Sequence, residues 1–169
     1  MTVISDLLRT RIWRHPKNED WVLEEDDALL EAQVIDVRLD AINSTVGILI
    51  DLRTSLQLAE SNTGVLVVDS VTRLQWAAGT TLSGRTAWTV VGSEIRSIGK
   101  GVEILLRLHP NCELTVRGVS AVLHAVEVPD LDMIPDLLSD TDDEIQRMTA
   151  NWESTGQVSR TTTLSGAGT

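Results

Sequence analysis

His109 and Cys112 are separated by two residues, and His124 follows on a nearby predicted strand. Imidazole and thiolate side chains at such spacing bind zinc when further donors complete a tetrahedron. Here the last donor would have to be an acid, and Cys112 falls on the inward parity of its strand. The three are therefore read as a turn histidine, a buried thiol and a core imidazole. Asp140, Asp142, Asp143 and Glu144 have the composition of a calcium loop but neither its glycine nor its ligand spacing. Acids at the start of a helix explain them more simply. Ser83-Gly84 and Gly99-Lys100-Gly101 lack the spacing of a phosphate loop, and neither opens a helix. Asn43-Ser44-Thr45 matches a glycosylation acceptor with no secretion signal before it. The chain is thus expected to hold no metal and no cofactor, and no residue carries a catalytic signature.

The aromatic set is unusual: five Trp (Trp13, Trp21, Trp76, Trp88 and Trp152), no Phe and no Tyr. A core must then be built from Val, Ile, Leu and Ala with a few indoles as anchors. The Phe and Tyr platforms of common RNA-binding sheets are missing.

Charge is uneven. Met1 to Glu31 carries eight acids and four bases, Ala32 to Val126 eight of each, and Glu127 to Thr169 nine acids and two bases, for a net charge of −11. Glu19 to Glu31 and Glu127 to Glu144 contain no base at all. Such a field repels phosphate backbones, so nucleic acid is not an expected partner. It solubilises the chain, and it would also steer a basic protein. Arg9 to Lys17, around Trp13, is a small basic island whose charges have acidic neighbours to pair with.

The elements that must position these residues are read from period-two alternation, which sends successive side chains to opposite faces of a strand. Ile35, Val37, Leu39 and Ala41 are expected on one face, and Val46, Ile48, Ile50 and Leu52 on the matching face of the next strand. Charge pairing favours a register with Val37 opposite Leu52 and Leu39 opposite Ile50, placing Asp36 beside Arg53 and Arg38 beside Asp51. Val65 to Trp76 alternates twice, and Gly92-Ser93 marks a bulge or turn. Val102 to Leu108 and Cys112 to Val116 form a second hairpin. Ser120 to Val128 is apolar on both faces and reads as a central, doubly covered strand. Val3 to Arg9 has helical spacing, and Trp21 to Glu31 suggests an extended lead-in and a turn. Thr141 to Glu144 fits a capping box for a helix from about Asp142 to Glu153 that docks Trp152. The expected architecture is mainly β: an antiparallel roll, barrel or sandwich of seven to nine strands with a C-terminal helix. Residues 1–153 form a single β-rich domain, and 154–169 a tail too polar to fold.

The run ALLEAQVIDVRLD followed by TVGILIDLR, with the later LRLHPNCELTVRGVSAVLHAVEV, resembles small β-rich bacterial proteins. Some of these are immunity proteins of toxin systems. The resemblance spans Leu29 to Val128, rests on apolar pattern, and carries no functional residue across. It implies a protein that masks a partner.

Three functions are open at this point. The first is a non-catalytic interaction module that meets a basic protein partner through Glu24, Glu25, Asp26, Asp27, Asp130, Asp132 and Asp136. The second is a small-ligand β-barrel with Trp76, Trp88 and His124 lining a cavity. The third is an enzyme whose site is scattered over the strands. One cysteine excludes an internal disulfide, no apolar run spans a bilayer, and a cytoplasmic location is expected. An exposed edge strand leaves room for a homodimer.

Overall fold

The alternating runs pair into one open antiparallel sheet of ten strands, seen in a computed structural model that describes residues 1–9, 23, 25–79 and 84–166. In chain order these are β1 (Thr2–Val3), β2 (Gln33–Asp40), β3 (Thr45–Asp51), β4 (Thr63–Asp69), β5 (Arg73–Ala78), β6 (Trp88–Ile98), β7 (Gly101–His109), β8 (Cys112–Gly118), β9 (Ser120–Glu127) and β10 (Thr155–Ser165). Two short helices join them, α1 (Ile4–Leu7) and α2 (Asp142–Met148). Across the sheet the order is β1-β10-β9-β4-β3-β2-β6-β7-β8-β5.

Only two residue pairs, Gln33 with Thr89 and Val34 with Trp88, join β2 to β6. That narrow seam divides the sheet into a first wing, β1 to β2 in sheet order, and a second wing, β6 to β5. The wings fold toward each other over a shared core. Ile48, Leu66 and Leu123 from the first wing and Ile104, Leu106 and Leu114 from the second lie in one apolar cluster. At the far end the wings touch again, where the Val119 amide donates to the Asp69 carbonyl at 2.9 Å and the Ser97 hydroxyl to the Ser165 carbonyl at 3.0 Å. Gly118 is required there, because a Cβ would strike the Asp69 carbonyl oxygen and come within 2.6 Å of Val68.

The first wing has a second apolar layer on its outer face. Ile4, Leu7 and Leu8 of the α1 segment join Val128, Leu131, Ala150 and Trp152 over Leu49, Val65 and Val67. Trp152 anchors this lid: its indole nitrogen donates to Asp36 at 2.7 Å, and the Arg38 guanidinium lies 5.9 Å from the ring centre. A Cβ on Gly47 would collide with Leu8 and come within 2.9 Å of the Trp152 ring, so glycine opens the socket that the lid fills.

Several expectations are corrected by these contacts. Gly47 and Leu49, read as outward, are buried under the lid. Ile35 is not on the face of Val37. A bulge between Val34 and Asp36 turns it to the lid, while Val37 packs on the shared core and Leu39 stays 53% exposed. The first hairpin forms in another register, with Val37 opposite Ile48 and Leu39 opposite Val46. Charge pairing across the ladder does not decide it: Asp36 is taken by Trp152 and Asp51 by Arg53 within β3's own end. A tight turn at Ala41 to Ser44, with the Asn43 amide and side chain donating to Asp40, sets the register instead. Within residues 154–169, expected to be too polar to fold, Thr155–Ser165 form β10, which pairs along β9 from Gln157 with Glu127 to Ser165 with Ser120. Backbone hydrogen bonding to an open strand edge recruits even a threonine-rich segment. With β1 and β10 added, the strands number ten rather than seven to nine.

Other expectations hold. The β6 bulge lies between Val90 and Gly92, β7 and β8 form the second hairpin, and β9 is covered on both faces. The helix from Asp142 carries its capping box but ends at Met148, and Trp152 docks beyond it. The basic island from residue 10 onward and the extended lead-in that begins at Trp21 fall outside the described residues, apart from the buried Leu23. From Glu25 to Glu31 the chain runs in successive turns.

Candidate functional site

The chain leaves β9 at Val128 and crosses the end of the first wing as an irregular segment before α2. Asp130 turns it, with φ at +63°, and Leu131 drops into the lid. The next fixture is Arg53. Its guanidinium is bidentate on Asp51, with both side chains nearly buried. The remaining donors reach the carbonyls of Leu131 (3.2 Å), Met133 (2.5 Å) and Met148 (2.8 Å). One planar fork thus ties both ends of the 131–148 segment to β3, a geometry that arginine alone provides. Arg85, from the strand approach of the second wing, holds the middle. It donates to the carbonyls of Leu137 (3.2 Å) and Asp140 (2.7 Å) and pairs with Asp142 at 2.6 Å.

Within this frame several acids serve the backbone. Asp136 accepts from the Ser139 hydroxyl and the Leu138 amide, which lower its pKa below the ordinary carboxylate value. The Thr141 amide and hydroxyl do the same for Glu144. Asp140 accepts from the Asp136 amide at 2.7 Å. Glu127 bonds the Asn62 amide and side chain. Asp130, Asp132 and Asp143 have no side-chain partner among the described residues. Met133, which lines a groove with Asp130 and Asp132, is exposed, as are Ile134 and Leu138 on the same segment, the last 95% so. This surface groove is lined by Asp130, Asp132, Asp140 and Glu144, by one base, Arg147, and by Met133 and Met148.

The predicted acids divide accordingly. Glu24 lies outside the described residues, and Glu25 and Asp26 are exposed. Asp27 is structural: its carboxylate accepts from the Ser93 amide at 3.1 Å while its own amide donates to the Ser93 carbonyl. Thr54, next to Arg53, donates to the Glu31 carbonyl at 2.6 Å. Consecutive residues at the end of β3 therefore fasten both acidic segments at one corner of the molecule. Of the second group, Asp130 and Asp132 project freely and Asp136 is spent on its own turn.

The residues of the ligand-barrel reading are not brought together. Trp76 and Trp88 meet edge to face, 5.1 Å between ring centres, on the inner side of the sheet, and Trp76 is 42% exposed. His124 lies on the opposite face of β9, buried, with its Nδ1 3.0 Å from the Thr161 hydroxyl. A small apolar pocket at Leu52, Leu58, Leu123 and Thr162 includes none of the three. Cys112 faces the shared core, where burial raises its thiol pKa, on the other side of the sheet from His124. Among the described residues no three His, Cys, Asp or Glu side chains are placed to hold a metal ion. No helix among them is long and apolar enough to cross a membrane.

Sequence reasoning missed the two arginines. Arg53 was expected to face Asp36 across a ladder. The signal for its true role is local, an acid two residues earlier at a strand end. Arg85 sits in a stretch with no other charge nearby, and nothing in the sequence ties it to residues more than fifty positions later. No protein-family model, curated protein or solved structure matches this chain.

Proposed function

We propose that this chain is a non-catalytic interaction module that docks a basic protein partner on its acidic segment, residues 129–144. One observation carries the reading: Asp130, Asp132 and Asp143 have no side-chain partner among the described residues, yet they sit on a segment clamped by Arg53 and Arg85 that also exposes Met133, Ile134 and Leu138. A clamped segment loses little conformational freedom on association. Carboxylates set the encounter rate and orientation, while the apolar side chains supply desolvated contact. A partner with Lys or Arg flanking an apolar strip fits this surface. Covering the partner's basic site is masking of the kind immunity proteins perform. The cytoplasm suits this role, since the single cysteine stays a buried thiol.

Affinity capture from the native host at low and high salt tests the reading. The intact chain is expected to retain a basic protein at low salt and release it at high salt. Replacing Asp130, Asp132 and Asp143 together with Asn should cut the association rate roughly tenfold and flatten its salt dependence. Absence of any protein retained at low salt, or retention that ignores the triple substitution, overturns the proposal.

A further inference from the structure

Independently of the acidic segment, the free edge of the second wing carries a self-complementary strand. Among the described residues β5 borders only β8, and all six of its own residues are exposed. The Gly79 amide donates to the Asn111 carbonyl, and antiparallel alternation from that bond turns the backbone groups of Arg73, Gln75 and Ala77 toward β8. The N–H and C=O groups of Leu74, Trp76 and Ala78 then point to the open side. The usual protections of an edge are missing from this strand: it has no Pro, no Lys, no bulge and one charge. Its apolar side chains, Leu74 and Trp76, share the inner face with Trp88.

We infer that β5 pairs antiparallel with β5 of a second copy of this chain, giving a two-fold dimer. The register that places Gln75 across from its symmetry mate sets Leu74 of each copy opposite Trp76 of the other, with their free backbone groups facing. On the outer face the same register sets Arg73 opposite Ala77 of the second copy, whose own neighbour on β8 is Glu113. Charge speaks for this occupant. Arg73 lies directly beside Arg117 in the ladder, and its partner among the described residues is only the neutral Gln75 side chain. Arg117 is already held by Glu103, and Arg107, across from Glu113, is held by Glu94. Glu113 is exposed and makes no ion pair among the described residues. Two strand spacings, about 10 Å, separate Arg73 from Glu113 of the second copy, with only the Ala77 methyl between them. An arginine and a glutamate reaching toward each other span that gap, twice per dimer.

Sedimentation equilibrium of the full chain reads the result. The mass is expected to rise with concentration to twice 18.5 kDa, with dissociation in the roughly micromolar range for so small an interface. Leu74→Lys, at a position already 36% exposed, should weaken association at least about tenfold with the circular dichroism unchanged. Arg73→Glu alone and Glu113→Arg alone should each weaken it several-fold, because each sets like charges together. Mixing the two variants should restore the dimer, since the mixed pair regains both contacts, which a folding defect would not do. A chain that stays monomeric throughout, a dimer indifferent to Leu74→Lys, or a mixture no tighter than its components overturns the inference.

Discussion

The two wings of the sheet are made from the same alternating strands, yet they end in different environments. In the first, β3 is buried along its whole length and β4 nearly so, because one face meets the shared core and the other meets the lid around Trp152. In the second, only the inner face is dry. Its outer face carries a cross-strand ladder from Arg107 to Glu94 (2.7 Å), Arg96, Glu103 and Arg117. Glu103 is almost buried there because two arginines fold over it. The difference shows how one sheet divides its labour. The doubly covered wing is stiff enough to hold an irregular acidic segment at its end. The singly covered wing pairs Arg96, Arg107 and Arg117 with its own Glu94 and Glu103 and leaves an edge open.

The largest effect should come from removing the lid's anchor. Trp152→Ala deletes a buried indole and its bond to Asp36, at about 4 kcal/mol of stability by chemical denaturation. Trp76→Ala in the second wing should cost about 1 kcal/mol, since the side chain is half in water. Equal losses would abolish the distinction between the wings. Next comes Arg53→Met, which strands Asp51 in a dry site and frees three carbonyls. Roughly 3 kcal/mol should be lost. Hydrogen exchange should rise across residues 131–148 while β6 to β8 stay protected. Uniform exchange would show that the clamp does not localise its effect.

The smallest effect is on acid response. The carboxyls of Asp136 and Glu144 titrate below their ordinary range, so their contribution is full above about pH 4 and fades as the pH falls through the lowered folded values. Carboxyl resonances followed by NMR should place each midpoint below the ordinary value of its residue type, about 3.9 for Asp and about 4.3 for Glu. Midpoints at or above those values would contradict the capping geometry.

Much of this fold is legible in the sequence because burial of one face leaves a period-two trace, as in Val102 to Leu108 and Cys112 to Val116. The trace fails where a second layer arrives. Leu49 and Gly47 look outward until Leu8 and Trp152, distant in the chain, cover them. It fails again at Ile35, since one inserted residue inverts the parity of everything before it. β10 was hidden because its stability comes from backbone bonds to β9, which composition does not register. The acids of the candidate site were visible as composition. Which of them are free was not, because that depends on Ser139, Thr141 and Arg85 meeting Asp136, Glu144 and Asp142 in space.

The pairing of β1 with β10 has a consequence for synthesis. Thr2 and Val3 are made more than 150 residues before their partners Gly156 and Thr155. Until then the apolar backs of β3 and β4 lack the anchor of their cover, so a nascent chain halted before Trp152 presents a sticky surface to chaperones and to its neighbours.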